Sequence, residues 1–228
     1  MPSLSRRLLA EAIGTFGLIF IGCGVVVVNG GFPSSGIGLL GIAVAHALVL
    51  SVMITATMNI SGGHHNPAVT IGVLSAGRMS VGDAVAYVVA QLVGAVIGAL
   101  LVRLLLPAQY VVPAAVGVPV LADTMSVWAG MGLELVLTFF LVLAVFGTAI
   151  APTAPKVGGF GIGLVLLFDI LVGGPLTGGV MNPARAFGPA VAGGGWADQL
   201  VWWIGPIVGG IIAALVWEHW LMSPEAEA

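Results

Sequence analysis

The sequence SGGHHNPAVTIG, residues Ser61 to Gly72, joins a polar, glycine-rich turn to a short apolar segment. A related stretch, GGVMNPARAFG, occupies Gly178 to Gly188. The two share a Gly-Gly pair, two variable residues and then Asn-Pro-Ala, at an offset of 116 residues. Each segment after the asparagine offers about ten helical residues, or about 15 Å, which is half of a bilayer's hydrocarbon core. Both stretches therefore predict half-helices that enter a membrane without crossing it.

The composition predicts an integral membrane protein. Apolar residues make up 59% of the chain, charged residues only 7%, and the mean hydropathy is +1.17. Soluble domains have about 25% charged residues. The 228 residues have room for about six spanning helices, so we expect one membrane domain over residues 1–228. The net charge of −3 comes without a basic or acidic tract, so no nucleic-acid partner is expected.

Six apolar runs outside the half-helices predict spanning helices, with glycine, proline or charged residues between them. The order is three spans and a half-span, twice. Glu11 and Thr15 recur as Glu134 and Thr138, which supports an internal repeat. Because three is an odd number of spans, the second half must be inverted, and the half-helices must enter from opposite faces. The predicted repeats cover about residues 6–106 and 127–221, with spans at about 11–28, 37–58, 84–106, 127–150, 159–172 and 200–221.

The basic residues predict the orientation of the chain in a cell membrane. With the N-terminus inside, the cytoplasmic loops and ends carry Arg6, Arg7, Arg78 and Lys156, and only Arg103 lies near an outer loop. Positive residues favour the cytoplasmic side. Both termini are therefore expected to be cytoplasmic.

Each Asn-Pro pair is a strong helix start, because the asparagine carbonyl can accept a free backbone N–H and proline has none to lose. Asn66 with Pro67 and Ala68, and Asn182 with Pro183 and Ala184, would then turn their amide N–H₂ groups toward a passing solute. The positive dipole ends of both half-helices would meet near the membrane midplane. Such a site repels cations and protons and can hold a neutral molecule with a lone pair.

Two acidic residues in predicted spans, Glu11 and Glu134, are the natural acceptors for backbone N–H groups of the two turns. Irregular backbone at membrane depth must be satisfied by protein or by a water-filled cavity. We interpret both glutamates as structural braces, and the alternative is a titrating role in transport.

Arg185 is the only basic residue within a predicted membrane segment, and such a charge is costly enough to suggest function. We expect it to line a pore one helical turn outward of Asn182. The alternative is a structural salt bridge, for which Asp169 is a candidate partner; Asp169 itself is expected to be a packed or interface residue.

The histidines do not predict a metal site, because His64 and His65 have only His46 and the distant His219 as further candidate ligands. We expect no metal and no cofactor. His64 is interpreted as a hydrogen-bonding brace. His65 could line the pore and titrate near neutral pH, and the sequence leaves its role open.

Over nearly its whole length the chain resembles the aquaporin, or major intrinsic protein, family. The resemblance is carried by GGHHNPAVT, GGVMNPARAFGPAV, the repeated glutamate and the six spans. It implies an all-α membrane fold with six transmembrane helices and two re-entrant half-helices. It also implies a homotetramer with a pore through each protomer, which conducts water in single file and excludes protons.

Family spacing places a selectivity filter outward of the asparagines, at His46, Ile170, Gly179 and Arg185. The common water-only filter has an aromatic residue on the second helix and histidine on the fifth. The set found here is instead similar to that of plant tonoplast intrinsic proteins that pass ammonia as well as water. The resemblance thus implies a wider constriction and ammonia permeation. Those relatives also carry a filter histidine in a loop, but residues 107–126 contain none here.

Other functions are compatible with fewer features. The glycerol-facilitating branch usually has aspartate after the filter arginine and a basic residue four positions later, where this chain has Ala186 and Ala190. An ion-coupled carrier would share the inverted repeat, and only Asp169 hints at one. An intramembrane hydrolase would need a nucleophile and base, and Ser61 near His64 is not a complete set. A purely structural membrane protein would show no osmotic permeability.

Overall fold

Six helices are long and apolar enough to cross a bilayer, in a computed structural model that describes residues 2–32, 34 and 36–222. Two shorter helices follow the Asn-Pro pairs, and a single helical turn lies in the loop before the second half. In chain order the helices are α1 (Leu4–Gly31), α2 (Gly38–Ser61), α3 (Pro67–Ser75), α4 (Val81–Leu105), α5 (Ala108–Val111), α6 (Val127–Val145), α7 (Phe160–Thr177), α8 (Pro183–Gly193) and α9 (Gln199–Val216). Wider π-helical turns extend α6 through Phe146–Ile150 and α9 through Trp217–Leu221.

The helices pack in corresponding pairs in the two halves of the chain. Helix α1 packs on α4, α6 packs on α9, and α2 of the first half packs on α7 of the second. Each half-helix packs chiefly on the last long helix of the other half, so α3 lies against α9 and α8 lies against α4. The two halves therefore share one core rather than forming separate units.

Glycines allow the closest helix crossings. A Cβ on Gly94 of α4 would lie 2.2 Å from the carbonyl oxygen of Ala12, and one on Gly209 of α9 would lie 2.1 Å from that of Leu135. Real side chains do not tolerate such distances, so only glycine fits. The half-helices use the same device, since a Cβ on Gly188 of α8 would lie 2.5 Å from the carbonyl oxygen of Ala95.

Two helix ends differ from the sequence-based bounds. Helix α1 begins at Leu4, seven residues before Glu11, because the guanidinium of Arg7 donates two hydrogen bonds of 3.2 Å to Asp83 and ties this first turn to α4. Helix α7 continues past the expected end at Val172 to Thr177, through Pro175. Pro175 has no backbone N–H to donate to the carbonyl of Leu171, so proline disfavours this last turn and the sequence predicts an earlier end.

Candidate functional site: a channel between the half-helices

The two loops that precede the half-helices have nearly the same backbone path. The residue that follows α2, Gly62, has φ 90°, and the residue that follows α7, Gly178, has φ 88°, both in the left-handed region. A second glycine with positive φ follows in each loop. The residue before each asparagine, His65 or Met181, also has positive φ, at 49° and 53°. Such a conformation costs a residue with a side chain about 1–2 kcal/mol, so other interactions of the loops must offset this cost.

That conformation aims the carbonyl of each loop at the other loop. The amide nitrogen of Asn66 donates to the carbonyl oxygen of Met181 at 2.8 Å, and the amide nitrogen of Asn182 donates to the carbonyl oxygen of His65 at 3.0 Å. The two asparagines are thus joined by a reciprocal pair of hydrogen bonds. This pair was not predicted from the sequence, which indicated that both amide hydrogens of each asparagine face the solute.

The caps predicted for the half-helices are present. The side-chain oxygen of Asn66 accepts from the backbone N–H of Ala68 at 2.8 Å, and that of Asn182 accepts from Ala184 at 2.9 Å. With the carbonyl capped and one amide hydrogen bonded across the loops, each asparagine has one N–H left. Both asparagines line the same cavity, so these two donors are available to its contents.

The carboxylate of Glu11 accepts hydrogen bonds from the first loop. It takes the backbone N–H of His64 at 3.0 Å and of His65 at 2.7 Å. The hydroxyl of Ser61 and the amide of Gln91 donate to the same carboxylate, at 2.6 and 2.8 Å. Glu11 is fully buried, and these four donors satisfy it in place of water.

The carboxylate of Glu134 serves the second loop in the same way. It accepts from the backbone N–H of Val180 at 2.9 Å and of Met181 at 2.7 Å, and from the hydroxyl of Thr177 at 2.6 Å. It is also fully buried. In each half, one glutamate therefore fixes the loop whose carbonyl reaches the opposite asparagine.

Three cavities lie in series through the helix bundle. The central cavity contains both asparagines and is enclosed by α1, α2, α6, α7 and the two half-helices. An outer vestibule, on the side of the loop between residues 107 and 126, shares His46, Ile170 and Arg185 with it. An inner vestibule, on the side of Arg78, shares His64 and Val145 with it. The central cavity is otherwise mostly apolar, with a wall formed by Leu18, Leu50, Ile54, Val69, Leu141, Ile162, Leu166, Gly179, Val180 and Met181.

The structure brings together the four residues expected at the filter. His46, Ile170, Gly179 and Arg185 all line the central cavity. The side chains of His46 and Ile170 are almost completely enclosed by protein, since the two residues are only 4% and 3% exposed. The Nδ1 atom of His46 lies 2.9 Å from the carbonyl oxygen of Ile42, which holds the ring at one nitrogen.

Arg185 is held by a backbone carbonyl and not by a carboxylate. Its Nη1 donates to the carbonyl oxygen of Gly117 at 2.8 Å. Within the described residues it forms no ion pair with Asp169, so the salt-bridge alternative is wrong. Asp169 is 1% exposed, and its Oδ2 has no hydrogen-bond partner in the part of the chain that the structure describes.

The loop segment that carries the Gly117 carbonyl was also not predicted from the sequence. Residues Ala115, Val116 and Gly117 have φ values of 43°, 61° and 77°, which make a left-handed turn. Left-handed turns are unfavourable for alanine and valine, so propensity would not predict this one. The segment reaches the outer vestibule, which Gly117 and Val118 help to line.

The two loop histidines lie in different surroundings. His64 lines both the central cavity and the inner vestibule, with its Nδ1 3.1 Å from the hydroxyl of Thr70. His65, the expected pore-lining candidate, is fully buried, and its Nε2 lies 2.8 Å from the hydroxyl of Thr57. Its ring occupies the space left by Gly14, where a Cβ would come within 2.0 Å of it. The side chain of His65 therefore packs between α1 and α2 and does not line the central cavity.

Comparisons with known proteins give a consistent result. The major intrinsic protein family profile matches residues 1–217. The chain is 43% identical to Aquaporin TIP4-4 from Zea mays, across 96% of this chain and 87% of that protein. It is 41% identical to Probable aquaporin TIP3-2 from Arabidopsis thaliana, across 97% and 85% of the two chains. The crystal structure of the aquaglyceroporin from Plasmodium falciparum superposes with a TM-score of 0.85 over 99% of each chain at 23% identity, which confirms the predicted fold class.

Proposed function

The chain belongs to the major intrinsic protein family, and on that premise we propose that water crosses the membrane through the cavity between Asn66 and Asn182. The protein is a multi-pass membrane channel and not an enzyme. Water moves passively down its gradient. The observation that carries this mechanism is the reciprocal pair of hydrogen bonds between the asparagines and the opposite loops, which leaves one N–H on each of these two cavity-lining side chains without a partner among the described residues.

Conduction follows from the few polar groups in a mostly apolar wall. A water molecule at the middle of the channel accepts hydrogen bonds from the free N–H groups of Asn66 and Asn182. The apolar wall offers few competing partners, so water is held weakly enough to leave again. Because its oxygen accepts from these two N–H groups, this water cannot also accept a hydrogen bond from a neighbouring water, and the chain of hydrogen bonds along which a proton would pass is interrupted there.

Proton and cation exclusion has two sources. The half-helices α3 and α8 both begin at the asparagines, so the positive ends of their dipoles meet there. The guanidinium of Arg185 adds a full positive charge at the border between the central cavity and the outer vestibule. Both repel a cation in a narrow, largely apolar passage where water screens poorly.

We assign the remaining site residues as follows. Asn66, Pro67, Ala68, Asn182, Pro183 and Ala184 form the central constriction, and His46, Ile170, Gly179 and Arg185 form the filter. Glu11 and Glu134 brace the loops, in support of which each accepts two backbone N–H groups. We assign His64 to the inner end of the channel wall and His65 to loop support. Both assignments rest on which of the two side chains lines a cavity.

We also propose the arrangement of the chain in the membrane. The two halves are inverted copies, in support of which each half-helix packs on the last helix of the opposite half. Both termini face the cytoplasm across a cell membrane, since Arg6, Arg7, Arg78 and Lys156 fall on that side. The resemblance to the family supports a homotetramer with one channel in each protomer.

Ammonia is the second solute that we expect to pass. At the filter, Ile170 is apolar and Gly179 has no side chain, so the passage is wider and less polar than one with a second histidine. Ammonia accepts and donates hydrogen bonds as water does, and it is neutral. Purified protein in proteoliposomes is expected to raise both osmotic water permeability and ammonia permeability above those of empty liposomes, and to leave glycerol permeability at background.

The measurement is stopped-flow light scattering for water and glycerol, with an internal pH dye for ammonia. Ammonia entry equal to that of empty liposomes contradicts the ammonia proposal alone. Glycerol entry as fast as water favours the facilitator of small neutral solutes. Flux that depends on an imposed proton or sodium gradient favours a coupled carrier.

A further inference from the structure

The filter is supported from behind by two consecutive residues of α1, Gly22 and Cys23. Both are buried, and Cys23 is completely inaccessible to solvent. Neither is among the residues that line the central cavity or the outer vestibule. Gly22 nevertheless lies against the side chain of His46, and Cys23 lies against the backbone of Gly117, whose carbonyl accepts a hydrogen bond from Arg185.

Gly22 makes room for the imidazole of His46. A Cβ at position 22 would lie 2.5 Å from Nε2 and 2.8 Å from Cδ2 of that ring. The opposite edge of the ring is held by Ile42, whose carbonyl oxygen lies 2.9 Å from Nδ1. The ring therefore rests on the bare backbone of α1, and any added atom there must push it toward the cavity that it lines.

Cys23 supports the group that holds Arg185. The backbone of Gly117 lies so close to α1 that a Cβ at position 117 would be 3.0 Å from Cα and 3.1 Å from Cβ of Cys23. Gly117 is the residue whose carbonyl accepts from Arg185. The left-handed turn of residues 115–117 is thus seated on α1 at the position next to Gly22.

We propose that Gly22 and Cys23 are positioning residues that set the width of the filter, acting through His46 and through the Gly117 carbonyl. This inference rests on the proposed function, because it takes His46 and Arg185 as the filter. A change in the volume of residue 22 then alters which solutes pass and how fast, although that residue never contacts a solute.

The chain contains a matched control on the same helix. Gly24 lies two residues beyond Gly22, and a Cβ there would meet nothing within 4 Å. Both glycines lie inside α1 and neither has a positive φ, so alanine is compatible with the backbone at both positions. Gly22→Ala and Gly24→Ala make the same chemical change, and only the first faces His46.

The test compares osmotic water and ammonia permeability per reconstituted protein for the wild type, Gly22→Ala, Gly24→Ala, His46→Ala and the double variant Gly22→Ala/His46→Ala. We expect Gly22→Ala to lower water permeability by about an order of magnitude, because pore diameter controls passage. Gly24→Ala should match the wild type. In the His46→Ala background the ring is gone, so adding alanine at position 22 should change permeability by less than about twofold, as double-mutant cycles require for a direct contact.

Each outcome bears on a different claim. A wild type without water permeability overturns the proposed function itself. A conducting wild type with Gly22→Ala equal to Gly24→Ala overturns the inference, and so does a loss in Gly22→Ala that persists unchanged when His46 is alanine. If Gly22→Ala does not yield folded protein, the double variant must restore folding; failure to do so shows that the glycine is needed for packing alone.

Discussion

Replacement of Arg185 by valine is expected to admit protons and small cations while water still passes. Arg185 is the only lysine or arginine among the described residues that line the central cavity. Two unit charges 4 Å apart interact by about 4 kcal/mol at an effective dielectric constant of about 20. The half-helix dipoles remain in the variant and still repel cations. We therefore expect the proton leak to rise by about a hundredfold, which is less than the factor that corresponds to the whole of that interaction energy.

The measurement is the decay of an imposed pH gradient in proteoliposomes, followed with an internal dye beside osmotic shrinkage. Arg103→Val is the matched control, because Arg103 donates to the carbonyl oxygen of Ala192 and lines neither the central cavity nor the outer vestibule. Equal proton leak in the two variants would remove Arg185 from the filter.

Replacement of Glu134 by alanine is expected to destabilise the folded protein strongly. The change removes the acceptor of the backbone N–H groups of Val180 and Met181, which are buried with no other acceptor described. Each unsatisfied buried group costs about 1–3 kcal/mol, so the loss is about 2–6 kcal/mol. A typical protein is stable by only about 5–15 kcal/mol.

Thermal unfolding of detergent-purified protein, with the yield of monodisperse material, measures this loss. Glu134→Gln retains one carbonyl oxygen and should lose about half as much. Glu218→Ala is the control, since Glu218 pairs with Arg78 near the surface at 2.6 Å, and such pairs contribute about 0–1 kcal/mol. A Glu134→Ala protein that unfolds at the wild-type temperature would contradict the role of Glu134 as a brace.

Much of the fold could be predicted because a bilayer restricts the choices. Long apolar runs must be helices there, and the short run after each Asn-Pro pair cannot cross. The helix ends were less accessible to prediction. The beginning of α1 at Leu4 depends on an ion pair between Arg7 and Asp83, residues 76 apart in the chain.

The channel residues were easier to predict by type than by contact. The caps of Asn66 and Asn182 follow from local sequence, whereas the reciprocal bonds between the loops depend on positive φ values at His65 and Met181, which the local sequence does not specify. His64 lines the channel and His65 does not, because the His65 ring fits the space left by Gly14, a contact between residues far apart in the chain. The left-handed turn of residues 115–117 beside Arg185 was equally hard to predict from the sequence, because alanine and valine disfavour this conformation.

Water and proton flux measured on the same wild-type proteoliposomes tests the two-asparagine channel as a whole. We expect osmotic shrinkage much faster than that of empty liposomes, with a pH gradient that decays no faster than in empty liposomes. Shrinkage at the rate of empty liposomes, or rapid water flow accompanied by collapse of the pH gradient, would contradict a channel in which two half-helices meet at Asn66 and Asn182 to pass water and exclude protons.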